Sequence, residues 1–93
     1  MLTKTLNGLS VDGRLDVLQV VARLGVVDRK DILSSLGMET EMQSPDWQKV
    51  RRHLSWLVNQ NLVSVSEGEN GRKLYSFVQI RWNTFLWELQ KLI

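Results

Sequence analysis

Apolar residues recur at helical spacing through most of this 93-residue chain, and the period changes from 3.6 to 2 only once. Leu2, Leu6 and Leu9 are helically spaced in a first segment too short to assign. Asp12 is then placed as an N-cap, and Leu15, Leu18, Val21 and Ala22 form a stripe that runs to about Leu24, with Gly25 closing it. Val17, Val20 and Leu24 lie outside that stripe and leave a narrow polar arc of Asp16, Gln19 and Arg23. A helix apolar over most of its circumference is covered on more than one side. In a domain this small the cover is either core or a second subunit.

Asp28 reads as the cap of a second helix, with Asp31 at N3, Ile32, Leu33 and Leu36 as its apolar face, and Gly37 at its end. An acidic connector carrying Glu39 and Glu41 between Met38 and Met42 leads to Ser44-Pro45-Asp46-Trp47. Serine at the N-cap accepts an orphan N–H, and proline at N1 gives up a donor that had no partner. Asp46 adds negative charge at the positive end of the helix dipole. A third helix is predicted from Pro45 to about Gln60, with Asn61 as a left-handed terminator. Then Val63 and Val65 alternate with Ser64 and Ser66, and Leu74, Tyr75, Phe77 and Val78 favour a strand. The Asn70-Gly71 pair between them is a hairpin signal. A last helix is predicted from about Arg81 to Ile93, with Trp82, Phe85, Leu86, Leu89, Leu92 and Ile93 on one broad face. The order is helix, helix, helix, hairpin, helix: mainly α with a small β-hairpin. One domain over 1–93 is expected, with its core in 12–80 and the C-terminal helix in 81–93.

With Leu54 at the centre of the buried face and about 100° per residue, Trp47, Val50, Leu57 and Val58 complete a core stripe on the third helix. Gln48, Lys49, Arg52, Trp56 and Asn59 fall opposite, Ser55 at the margin, Arg51 nearer the core edge and His53 on the other flank. Arg and Lys contact guanine edges or phosphates, and Gln and Asn pair with adenine in a major groove. Any surface helix also shows a polar face opposite an apolar one. Trp56 has three open roles: stacking on sugar or base, packing on a second chain, or joining the core. Arg72 and Lys73 at the hairpin tip can reach a phosphate backbone, but Glu67 and Glu69 beside them cancel their charge, and an ordinary solvated turn looks the same.

Composition narrows the classes. Apolar and charged fractions of 43% and 24% are those of a folded globular domain. Such a short chain buries only about 60–65% of its unfolded surface and is marginal without a partner. No apolar run exceeds three residues, which gives no membrane span or signal-peptide core, and a cytoplasmic location is expected. Twelve basic residues against ten acidic ones say little in total. Partitioned, Asp28 to Gln43 carries −2 and Ser44 to Val63 carries +2, which concentrates positive charge on the third helix. There is no cysteine and one histidine, and neither a catalytic triad nor a phosphate-binding glycine loop can be assembled. No enzyme activity, metal or cofactor is expected.

The runs Leu15-Asp16-Val17-Leu18, Asp28-Arg29-Lys30-Asp31-Ile32, Ser44 to Leu54, Leu57 to Val63 and the Gly68 to Gly71 turn resemble the winged helix-turn-helix domain of bacterial and archaeal transcription regulators. The arsenic-repressor-like branch is closest in layout, over about Asp12 to Val78. The resemblance implies a homodimer that places its third helix in the major groove of double-stranded DNA, with the hairpin as a wing. Ser44, Gln48, Lys49, Arg51, Arg52, Ser55, Trp56, Arg72 and Lys73 are then the DNA-contact candidates. Val17, Val20, Trp82, Phe85, Leu86 and Leu89 are the candidates for the dimer seam. Thiolate metal sensing, common in that branch, is excluded by the lack of cysteine. The connector from Gly37 to Gln43 is longer than a tight helix-turn-helix allows, and the wing is unusually acidic. Both features are more frequent where the fold serves as a protein-interaction module. That is the alternative function, with Trp56 or the C-terminal helix gripping another protein.

Overall fold

The structure, a computed structural model, describes residues 7–91, so Leu2 and Leu6 at one end and Leu92 and Ile93 at the other lie outside it. Residues 7–9 are helical and bring Leu9 into the core. Four helices and a hairpin follow: α1 (Arg14–Leu24), α2 (Arg29–Ser35), α3 (Pro45–Asn59), β1 (Val63–Glu67), β2 (Lys73–Phe77) and α4 (Gln79–Lys91). The predicted order is the observed one.

The caps explain most boundaries. The Asp28 carboxylate accepts the Asp31 N–H at 2.8 Å, and the Ser44 hydroxyl accepts the Trp47 N–H at 3.1 Å ahead of Pro45. Asn61 is left-handed at φ 60°, as a helix terminator must be. The start of α1 differs from expectation. Its cap is Gly13 at φ 83°, with no side-chain cap bond, and Asp12 does not cap it. The Asp46 carboxylate has a further use: it accepts the Glu39 N–H at 3.0 Å and so folds the long connector back onto the start of α3.

α1 packs against α2, α3 and β2 together. This corrects its predicted orientation. Val17, Leu18, Val20 and Val21 point inward and are buried, whereas Leu15 and Leu24 are exposed. Val17 and Val20, expected at a dimer seam, are covered by the chain's own helices. Around them Ile32, Leu33, Val50, Leu54, Leu57 and Leu62 are fully enclosed. Each such side chain contributes about 1.5–3 kcal/mol by leaving water.

β1 and β2 pair antiparallel with Val63 opposite Phe77 and Glu67 opposite Lys73. The hairpin is anchored through β2 and the residue that follows it. There Val27 and Tyr75 exchange N–H···O bonds of 3.0 and 2.7 Å, and the Val78 N–H reaches the Leu62 carbonyl at 2.9 Å. Val63 and Tyr75 are buried, whereas Val65, on the same strand face as Val63 and opposite Tyr75, is exposed. At the tip Asn70 and Gly71 are both left-handed (φ 59° and 71°), the conformation that the Asn-Gly pair supplies at least cost. α4 is attached through Phe85, which is buried, and through Trp82, whose ring centroid lies 6.1 Å from Phe77 and 5.5 Å from Phe85. Arg81 adds a bond to the Gln60 carbonyl at 3.2 Å, supplying a cation to a helix end that has no basic residue of its own. No helix among the described residues is long and apolar enough to cross a membrane.

Candidate nucleic-acid interface

α3 is anchored along one side and open along the other. Val50, His53, Leu54 and Leu57 are buried; Lys49, Arg51, Arg52, Ser55 and Asn59 are exposed. Arg51, placed near the core edge by the sequence pattern, therefore stands free. The hairpin lies along one border of this open face. A crevice of about 200 Å³ between them is lined by Ser55 and Asn59 of α3 and by Val65, Lys73 and Tyr75 of the hairpin, with Leu54 and Val58 below. Ser55, Asn59 and Lys73 thus share one groove, and Arg51 is one turn before Ser55 on the same helix edge.

Three candidates are already engaged. The Ser44 hydroxyl is used as a cap, and the Gln48 amide donates to Gln43 Oε1 at 3.0 Å. Arg72 pairs with Asp28 and lies 4.0 Å from Asp31. Burial pushes the Asp28 carboxyl upward, but the Asp31 N–H and the Arg72 guanidinium outweigh it and hold the carboxyl below the usual carboxylate range. An open acidic groove of about 890 Å³, bearing Glu39, Glu41 and Asp46 with Lys30, borders the N-terminal end of α3. Lys49, Arg51 and Arg52 stand exposed on α3, where a polyanion can meet them.

No protein-family model matches the chain, and no curated protein matches it. Solved structures do. The AntR antimony-specific transcriptional repressor superposes with a TM-score of 0.63 at 22% identity, over 94% of this chain and 72% of that one. Reduced HlyU from Vibrio cholerae N16961 gives a TM-score of 0.63 at 17% identity, over 95% of this chain and 83% of that one. Both are winged-helix structures.

The chain has the winged-helix fold.

In winged-helix terms α3 is the third helix and the β1–β2 hairpin is the wing. AntR is antimony-specific, whereas this winged-helix chain has no cysteine to supply a thiolate. Among the described residues no three His, Asp or Glu side chains gather as metal ligands.

Trp56 does not face outward. It is half-buried on the flank of α3 away from the wing, with the Arg14 guanidinium 4.6 Å from its ring centroid. Gly8 packs so tightly against the indole that a methyl group there would overlap it. His53, expected on a flank, is buried at 6% exposure. Its Nδ1 accepts from Arg14 Nε at 3.3 Å. Burial first, then the positive charges of Arg14, Arg52 and Lys49, lower the His53 pKa, so the ring is neutral near pH 7. Arg14 also donates to the Gly8 carbonyl at 2.8 Å. This hub of Arg14, His53, Trp56 and Gly8 fixes one flank of α3 to the N-terminal segment. Arg14 carried no sequence signal, because one cation ahead of an apolar stripe looks like a solvated helix start.

The seam candidates divide in the same way. Trp82, Phe85 and Leu89 pack on the chain's own core, and only Leu86 is exposed. Besides Leu86, α4 exposes Ile80 at 81% and Trp87 at 58%, the latter beneath the Lys91 ammonium at 3.6 Å.

Proposed function

We propose that this chain is a small DNA-binding transcriptional regulator that lays α3 in the major groove and its wing along the flanking backbone. The groove shared by Ser55, Asn59 and Lys73, beside exposed Arg51, Arg52 and Lys49, is the observation that supports this most directly. A helix read by a groove must be held rigidly from behind while its polar face stays free, and α3 meets both conditions. Lys49, Arg52, Ser55 and Gln48 are assigned to base edges, Gln48 after releasing Gln43. Arg51 and Lys73 are assigned to phosphates, and Arg72 to a phosphate only once Asp28 lets it go. Trp56 is assigned to holding the N-terminal segment against the flank of α3, and neither an enzymatic role nor a cofactor is part of the proposal.

A homodimer through α4 belongs to the same proposal, with Ile80, Leu86 and Trp87 as the seam, since these are the apolar groups that α4 leaves uncovered. The alternative, a module that binds a different protein through this face, rests on the same three side chains. The functional test is a mobility shift on random-sequence duplex at low salt. Binding that weakens steeply as salt rises is expected, because neutralised phosphates release counterions. Absence of binding at micromolar protein would overturn the DNA assignment and leave the interaction module.

A further inference from the structure

A cleft of about 470 Å³ opens between the start of α2, the first turn of α3 and the tip of the wing. That volume lies within the range of small-molecule pockets, about 300–1,000 Å³. Its apolar surface comes from Trp47, from buried Tyr75 and from Met42, which is 70% exposed and stands at the rim. Its charged lining is one-sided: Arg29 and Lys30 from α2, Arg72 and Lys73 from the wing, and a single carboxylate, Asp28. Asp28 is occupied by Arg72 and by the Asp31 N–H. Arg29 lies with its guanidinium 4.6 Å from the Trp47 ring centroid, and its buried Nε has no hydrogen-bond partner. An aromatic wall beside a lining of four cations and one carboxylate suits one kind of molecule.

We propose that this cleft binds a small organic anion, a carboxylate or phosphate ester with an apolar ring or chain. The apolar body lies against Trp47 and Tyr75, and the anionic group lies among Arg29, Lys30 and Lys73. A DNA backbone is a poorer occupant, because a phosphodiester brings no apolar group to cover the indole. Asp28 opposes the ligand in part, by holding Arg72 and by its own charge. The inference does not depend on DNA binding and is read without DNA.

Titration of ¹⁵N-labelled protein with benzoate, followed by two-dimensional NMR, tests it. Saturable shifts are expected at Arg29, Gly71, Arg72 and the Trp47 indole. Uncharged benzamide and inorganic phosphate should each bind at least tenfold more weakly, one lacking the charge and the other the apolar body. Lys30→Gln with Lys73→Gln should weaken benzoate at least fivefold. Asp28→Asn, which keeps a capping side chain, should strengthen it several-fold by freeing Arg72. Benzamide binding as tightly as benzoate would reduce the cleft to an apolar crevice and overturn the proposal. Inorganic phosphate binding equally well would overturn it in favour of a bare backbone contact, and no saturable shift in these residues would overturn it outright.

Discussion

Arg72, at the tip of the wing, is paired with Asp28, the residue that caps α2. The pairing joins two pieces of chain far apart in sequence and withholds from DNA the cation nearest the wing apex. The near-zero charge of the wing in the sequence came from Glu67 and Glu69, but the carboxylates that restrain Arg72 come from α2.

Releasing that cation should show in DNA binding. Asp28→Asn keeps the α2 cap, removes the ion pair and is expected to tighten duplex binding a few-fold at low salt. The log–log salt slope should steepen by about one phosphate contact. Folding stability should change by only about 0–1 kcal/mol, since the Arg72 side chain is 57% exposed. Fluorescence anisotropy across a salt series measures the slope, and an unchanged slope would mean that Arg72 does not reach the backbone.

Gly8 is required by contact with Trp56, not by its backbone angle. Gly8→Ala forces a methyl group into the indole and is expected to cost about 1–3 kcal/mol. For a domain of this size that lowers Tm by about 4–8 °C per kcal/mol. Gly25→Ala, where no atom stands in the way but φ is 91°, should cost less than or about as much as this and leave the Trp56 near-ultraviolet signal unchanged. Thermal unfolding followed by circular dichroism compares the two.

His53 should make stability depend on pH. Its pKa is lowered in the folded state, so the unfolded chain takes up the proton first as pH falls. The stability associated with a neutral His53 is fully present above its ordinary value of about 6.5 and is lost as pH drops below it. Asp28, also lowered, gives a second loss below about 3.9. Urea midpoints should therefore fall between pH 8 and pH 5, and His53→Gln, which cannot titrate, should flatten that interval. A wild-type midpoint that is already flat there would place His53 in a solvated setting.

The two faces of α4 should behave oppositely. Phe85→Ala removes a buried ring and is expected to destabilise the fold by about 3–5 kcal/mol. Ile80→Ser with Trp87→Ser should leave folding nearly unchanged but shift sedimentation from dimer to monomer. A dimer that survives both substitutions would put the seam elsewhere.

Much of this was legible in the sequence, and the gaps have physical causes. Ser44, Pro45 and Asn61 act through local backbone geometry, so the limits of α3 followed from three residues. The order of elements followed from periodicity. What failed was the facing of helices covered on several sides. α1 is apolar almost all round, so its pattern could not say that Val17 and Val20 turn inward while Leu15 and Leu24 turn out. Trp56 stayed open among three roles for a related reason: it sits on the polar arc of α3, and its cover, Gly8 and Arg14, comes from the N-terminal end. The Asp28–Arg72 pair and the cleft beside it depend on folding the wing back over α2, which no spacing along the chain encodes.

The exposed cations of α3 are the most direct point of test. The salt dependence of duplex binding should be measured by anisotropy for the wild type and for Lys49→Ala with Arg52→Ala. Affinity is expected to fall by about 2–6 kcal/mol if both side chains meet base edges, with little loss of folding stability because both are exposed. Equal affinity and equal salt slope in the two proteins would contradict the assignment of α3 to the major groove.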